Sequence, residues 1–391
     1  MFEKLNNRPA DSLLALIKAF QADERTGKID LGVGVYRDAM GRTPVMRAVK
    51  AAEQFLLESQ DSKKYLGPEG DLQFVRLLQP IVFGKSPKFD HRLVGIQTPG
   101  GSGALRLGAE LIQTANPSAK VLLGTPSWPN HAPIFRSAGL AVKEYAFVDL
   151  TLQQVKFESV IDALSSASEG DVVLLHGCCH NPTGIDFTIE QWREIADLLV
   201  AHRLVPFIDL AYQGLGDALE QDAAPTRMVL DAVDEALIAY SCDKNFGLYR
   251  ERVGALYAMT RNVDDIGKAE SNMAALARVN WSMPPDHGAA IVRTILESSE
   301  MSAMWRTELE EMCQRVNGNR ASLAAAAPDL AFIRRQRGLF SNLSMSKETA
   351  GALRAKHGIY MADSGRMNLA GMQPADAGPI VTALRAEGCL K

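Results

Sequence analysis

Val172-Val-Leu-Leu-His176, residues 188–202 and Leu204-Val-Pro-Phe-Ile-Asp209 follow one another as an apolar run, an amphipathic stretch and a second apolar run. The two runs are short, continuously hydrophobic and bounded by turn residues, the pattern of strands buried on both faces. Between them, Thr188 and Gln191 have the spacing of a capping box, and Trp192, Ile195, Ala196 and Leu199 recur on one helical face. Residues 121–124 and 237–241 repeat the strand-like pattern on either side. Strands alternating with helices predict an α/β fold built on a mostly parallel sheet. Ligands of such sheets sit beyond the carboxyl ends of the strands. That rule directs attention to residues 125–130, 177–184, 210–214 and 242–247, which are rich in polar and aromatic side chains where the runs feeding them are not.

The last eighty or so residues have a different rhythm. Residues 330–333 and 358–361 are strand-like, 347–357 helix-like, and a smaller α+β domain is expected there, joined by part of the N-terminal segment. The organisation predicted is an N-terminal arm contributing to the smaller domain (residues 1–40), a large domain (41–310) and a small C-terminal domain (311–391). Charge is interspersed, 42 basic against 46 acidic residues for a net −4, with no basic tract, which argues against a nucleic-acid partner. No run of 18 apolar residues suggests a membrane span, and residues 1–10 lack an apolar signal core. Cys178, Cys179, Cys242, Cys313 and Cys389 are odd in number and not spaced as a disulfide framework, which fits a reducing cytoplasm.

Several segments carry candidate chemistry. Thr98-Pro-Gly-Gly-Ser-Gly103 precedes an apolar-periodic stretch. A glycine-rich turn opening a helix presents backbone N–H groups and the positive end of the dipole to a phosphate, and a tight turn is the plain alternative. Neither a Walker motif nor G-x-G-x-x-G is present. Ser241-Cys-Asp-Lys-Asn-Phe-Gly247 places Lys244 just after a strand, where a desolvated amine is a nucleophile suited to a Schiff base. A solvated lysine is the commoner case. Arg250 and Arg252 follow, and either fork suits a phosphate. Asp209 ends a buried run, so its carboxylate needs a partner: a protonated ring nitrogen, a helix cap or a metal. His176-Gly-Cys-Cys-His180 lacks the separated pairs of a zinc site, and no metal is expected. Arg366 and Arg278 are suited to bidentate capture of carboxylates, or to surface ion pairs.

Taken together these segments suggest a phosphate cradle, a Schiff-base lysine, a pyridinium partner and carboxylate clamps. The chain resembles the class I aminotransferases, in the subgroup acting on aspartate and aromatic amino acids. The resemblance runs nearly end to end, through Leu31-Gly-Val-Gly-Val-Tyr-Arg37, Tyr65-Leu-Gly67, residues 98–106, Pro126-Ser-Trp-Pro-Asn-His131, residues 176–184, Asp209-Leu-Ala-Tyr-Gln-Gly214, residues 241–254, Pro284-Pro-Asp-His-Gly288 and Ser364-Gly-Arg-Met-Asn-Leu-Ala-Gly-Met372. It implies the fold type I architecture of pyridoxal 5′-phosphate (PLP) transferases, with a seven-stranded, mostly parallel sheet in the large domain.

It also implies roles. Lys244 is matched to the lysine that holds PLP and moves the Cα proton, and Asp209 to the acid on the ring nitrogen. Tyr212 and Asn181 match donors to the ring's phenolic oxygen, and Trp128 the aromatic stacked on the ring. Gly101, Ser102, Ser241 and Arg252 match the phosphate cradle, with Tyr65 entering from a partner subunit of a homodimer. His131 resembles a support for Asp209. Arg366 matches the clamp on the substrate α-carboxylate, Gly34 a backbone contact over the substrate, and Arg278 the partner-subunit arginine for a distal carboxylate. Trp128 and Asn181 also border the substrate.

Four residues depart from aspartate-specific members: Ser102 for threonine, Met283 and Lys64 for asparagine, and Asp243 for serine. The first three favour an enzyme that moves amino groups between aromatic, and also dicarboxylic, L-amino acids and 2-oxoglutarate by a ping-pong mechanism. A plain aspartate aminotransferase is the alternative. Asp243, adjoining Lys244, is expected to favour the protonated amine. Loss of CO₂ or ammonia would mark a PLP lyase instead, and a binding protein on this scaffold would dispense with the lysine or the acid, both of which are present.

Overall fold

A computed structural model describes residues 1–7 and 12–391. Residues 8–11, within the expected N-terminal arm, lie outside the described residues. The chain separates into two compact units, residues 44–315 with 336–338, and residues 1–43 with 316–335 and 339–391.

The larger unit is built on seven strands: β1 (Leu93–Pro99), β2 (Lys120–Thr125), β3 (Ala141–Ala146), β4 (Val172–His176), β5 (Val205–Leu210), β6 (Ala236–Ser241) and β7 (Val253–Met259). Their order across the sheet is β1-β7-β6-β5-β4-β2-β3. β3, β2, β4, β5 and β6 run parallel, while β7 is antiparallel to both β6 and β1. This is the α/β, mostly parallel, seven-stranded sheet expected.

The edge strand β3 carries Lys143 and Glu144 and is largely exposed, whereas the central strands are largely apolar because helices cover the sheet. Three of them are α1 (Gly100–Ala115), α2 (Ile189–Ala201) and α3 (Ile266–Asn280). The capping box of α2 forms as its spacing requires: Thr188 Oγ1 accepts from Gln191 N at 3.3 Å, and Gln191 Oε1 accepts from Thr188 N at 3.0 Å. Trp192, Ile195, Ala196 and Leu199 are its buried face. Phe207 on β5 is fully buried and meets α1 at Gly108, where an added Cβ would lie 2.4 Å from the ring.

Register decides what meets at the sheet's mouth. His176 pairs with Asp209 across β4 and β5, and Leu210 with Tyr240 across β5 and β6. Because β7 runs the other way, its first residues lie beside the last residues of β1 and β6: Val253 opposite Pro99, and Gly254 opposite both Thr98 and Ser241. An added Cβ at Gly254 would fall 2.5 Å from the Tyr240 carbonyl oxygen and 2.6 Å from the Gly100 carbonyl carbon. Both are backbone atoms with nowhere to move, so glycine is required there.

The smaller unit has two short sheets. Ile29–Asp30 runs parallel to Ile359–Tyr360, and Phe340–Asn342 antiparallel to Arg366–Asn368. Its core gathers Leu31, Leu330, Ile333, Leu353, Met367 and Leu384. Residues 330–333 are not the strand expected from composition. Pro328–Arg335 is a 3-10 helix. Ala327, Leu330 and Ile333 are buried at a spacing of three, which is the period of that helix rather than of a strand.

Replacing Phe207 by alanine opens a cavity against Gly108. We expect a loss of about 3–5 kcal/mol in unfolding free energy, read as a lower urea midpoint at unchanged denaturant slope.

Candidate active site

One pocket in the larger unit is lined by Gly101, Ser102, Trp128, His176, Asn181, Asp209, Tyr212, Ser241, Asp243, Lys244 and Arg252, with Leu105, Cys178, Cys179 and Ala211 completing its wall. The lining comes from the ends of β1, β4, β5 and β6 and the turn before β7, as the rule for parallel sheets predicts.

At one wall, Asp209 lies at the end of β5. Its Oδ2 is 3.0 Å from His131 Nε2, and His131 Nδ1 is 2.8 Å from Ser127 Oγ. The tautomer with hydrogen on Nε2 satisfies both contacts, donating to the carboxylate and accepting from the hydroxyl. Burial raises the cost of ionising Asp209. The His131 hydrogen bond, the neighbouring histidines and Lys244 outweigh it and hold the carboxyl below its ordinary value. His176, whose ring centroid lies 5.1 Å from that of His131, is driven down to about 3 by burial and by His131, so it stays neutral. The demand for a partner that the sequence placed on Asp209 is therefore met in part by His131.

Asn181 and Tyr212 face the same cavity. Asn181 Nδ2 donates to Tyr212 Oη at 3.4 Å, while Asn181 Oδ1 is buried without a protein partner. Lys244 Nζ lies 5.5 Å from the centroid of the Tyr212 ring. Burial is the strongest influence on Lys244 and lowers its pKa. Asp243 and Asp209 oppose this, and Arg252 adds to it. Asp243 favours the protonated amine, as expected from its place beside Lys244, but the net direction is down. Asp243 does pull upward, but desolvation wins. Part of the reason is that the Asp243 carboxylate is already engaged, accepting from Arg252 Nη1 through Oδ2 and from Val253 N at 3.3 Å through Oδ1.

The glycine-rich turn does open a helix. α1 starts at Gly100, whose φ of +70° is a conformation glycine adopts without strain. An added Cβ at Gly100 would lie 2.7 Å from Arg252 Nη2, and one at Gly101 3.0 Å from Ser241 Cβ. The close approach of these three segments makes a cradle of backbone N–H groups, two hydroxyls and a guanidinium. This donor set suits a phosphate. A flat ring beside Trp128, with an acid, an amide and a phenol around it and a depressed lysine amine in the same cavity, completes the fit to PLP.

Other predicted residues lie elsewhere. Tyr65 is 90% exposed, and Arg278, on α3, is exposed with Nη1 donating to Ser282 Oγ at 2.7 Å. Neither lines this pocket. Met283 Sδ accepts from Leu66 N at 3.0 Å. In the smaller unit, Arg366 lays its guanidinium 4.5 Å from the Phe340 ring centroid and donates from Nη2 to Gly32 O at 3.1 Å. An added Cβ at Gly34 would lie 2.8 Å from the tip of the same ring. Asn368 Nδ2 donates to Val33 O and Val35 O, fastening the segment that carries Gly34 next to Arg366. His176, paired with Asp209 across β4 and β5, stands on the cavity wall. Cys179 also lines the cavity and is buried, and Cys178 and burial push its thiol well above the ordinary value.

A family model described as aminotransferase class I and II matches residues 26–384. A tyrosine aminotransferase of Rhizobium meliloti is 52% identical over 384 residues, covering 97% of this chain and 98% of that protein. The aspartate aminotransferase of Escherichia coli is 44% identical over 394 residues, covering 99% and 100%. The crystal structure of an aromatic-amino-acid aminotransferase from Burkholderia pseudomallei, covalently bound to pyridoxal phosphate, matches with a TM-score of 0.95 at 37% identity over the whole of both chains.

The lowered pKa of Lys244 is directly measurable on the protein without cofactor. Because only the neutral amine is acylated, trace acetic anhydride should label Lys244 with a midpoint below the ordinary lysine value of about 10.4. Replacing Asp243 by asparagine removes an opposing charge and should move the midpoint further down. Mass spectrometry of the labelled peptide reads both.

Proposed function

The chain belongs to the class I and II aminotransferase family, and from that premise we propose that it exchanges amino groups between aromatic or dicarboxylic L-amino acids and 2-oxoglutarate, on PLP held by Lys244. The carrying observation is one cavity that holds a burial-depressed lysine amine together with a carboxylate kept ionised by His131.

When bound, PLP supplies an aldehyde carbon for the amino group and a ring that accepts the electron pair left as Cα loses its proton. The rest belongs to the chain. Lys244 Nζ, neutral at lower pH than an exposed lysine, would hold the cofactor through its aldehyde and, when free, would be the base that takes the proton from the substrate Cα. Asp209, negative and fixed by His131, holds a proton on the ring nitrogen. Asn181 and Tyr212 orient the ring through its phenolic oxygen, and Trp128 covers one face. Gly101, Ser102, Ser241 and Arg252 would hold the phosphate. Arg366, braced on Phe340, grips the α-carboxylate, with the Gly34 backbone beside it. One site serves both halves of the reaction, which is why the kinetics are ping-pong.

Tyr65 and Arg278 are assigned to the pocket of a partner subunit in a homodimer. Their exposure in the single chain supports that reading. Arg278 would meet the distal carboxylate of aspartate or glutamate. Its tether is a Ser282 hydroxyl, and its neighbour Met283 is apolar and adaptable, which favours an arginine that swings aside for an aromatic ring. A cytoplasmic setting is supported by the five free cysteines. No helix among the described residues is long and apolar enough to cross a membrane.

Borohydride should fix the cofactor to Lys244, and Lys244→Ala should lower the half-reaction rate at least about 10²–10⁴-fold; undiminished turnover would refute the assignment. Half-reaction kcat/KM values for phenylalanine, tyrosine, tryptophan, aspartate and glutamate should fall within about a hundredfold, or ~2.7 kcal/mol. Aspartate ahead of every aromatic by more than that would favour the aspartate enzyme. Arg278→Leu should cost aspartate about tenfold to a hundredfold and leave phenylalanine within a few-fold.

A further inference from the structure

Two carboxylates line the pocket, and only Asp209 is needed at the ring nitrogen. Asp243 is buried and set into the phosphate cradle itself. Its Oδ2 accepts from Arg252 Nη1, and an added Cβ at Gly100 would lie 3.3 Å from that oxygen. Carboxylate and guanidinium thus both abut the first turn of α1. The ionisable groups around Asp243 are Arg252 from the segment before β7, and Lys244 and Cys242 beside it in the chain; the first turn of α1 brings backbone and the uncharged Ser102.

The charge balance in the cradle is unusual for a phosphate subsite. Arg252 supplies one positive charge, and Asp243 has already neutralised it. The N-terminus of α1 adds only about half a charge. A phosphate dianion placed here would add two negative charges against that remaining half. Two oxyanions in contact cannot both stay fully ionised at low cost, and such pairs keep one proton between them.

We propose that Asp243 makes the phosphate subsite a proton-sharing site: the cofactor phosphate is held with one proton retained between its oxygen and the Asp243 carboxylate. The inference rests on the reading of this pocket as a PLP site. Its consequence is a linkage. A free phosphate monoester loses its second proton near pH 6, so above that pH binding takes one proton up from solvent. Affinity then falls as pH rises, by about tenfold per unit, until the shared proton is itself lost. Asp243 thereby tunes how firmly this enzyme keeps its cofactor across the neutral range.

The test uses pyridoxamine 5′-phosphate, which forms no bond to Lys244. The phosphorus-31 resonance of the bound compound should titrate in the wild-type protein with a midpoint above that of the free compound. In Asp243→Ser and Asp243→Asn it should sit at the dianion position throughout pH 6.5–9. Its dissociation constant should rise about tenfold between pH 7 and 8 in the wild type. Both variants should lose that slope and bind about tenfold more tightly at pH 8. A wild-type resonance fixed at the dianion position overturns the proposal without any variant, and so does a slope that the variants share. If borohydride fixes PLP to Lys244 while the resonance stays at the dianion position, the proton-sharing idea fails and the transaminase reading stands. If no adduct forms, the site reading itself fails.

Discussion

The 3.0 Å contact between His131 Nε2 and Asp209 Oδ2 is the constraint on which the pocket depends. A carboxylate at the end of a strand in a covered sheet is expensive to keep ionised. His131, tied in turn to Ser127, keeps Asp209 negative and fixed in direction. Without that anchor, burial alone would push the carboxyl toward its neutral form, and nothing would hold a proton on a ring nitrogen facing it.

The antiparallel strand β7 is the second constraint. In a fully parallel sheet, the segment after β6 would leave the mouth through a helix. Here the chain turns directly from Ser241 through Lys244 and Arg252 into β7, and the register returns Gly254 to a place between Ser241 and Thr98. The lysine and the arginine are therefore carried on one tight turn braced on both sides by strands. The absence of a side chain at Gly254 lets the backbone of α1 approach that turn closely enough to build one cradle from three segments.

Electrostatics in this cavity is a contest between desolvation and nearby charge. Lys244 has a carboxylate as its chain neighbour, and yet its amine is pushed toward neutrality, since burial outweighs Asp243 and Arg252 holds that carboxylate. The pairing of Asp243 with Arg252 also changes what the cradle offers to a phosphate.

The alternation of apolar runs with an amphipathic helix, the capping box at Thr188, and the loops after residues 124, 176, 209 and 241 were all legible in the chain. So were Lys244, Asp209 and the glycine-rich turn, because each is a local rule: periodicity, turn chemistry, a charged residue where a buried run ends. Residues 330–333 have the look of a strand because Leu330 and Ile333 are apolar in a short run, and only their burial at a spacing of three reveals the 3-10 helix over Pro328–Arg335. The pairing of His176 with Asp209, the reach of His131 to that carboxylate and the capture of Asp243 by Arg252 were decided by tertiary structure. Strand order and register bring together residues dozens of positions apart, and whether a charge is buried, paired or free depends on those neighbours rather than on the residues beside it in the chain.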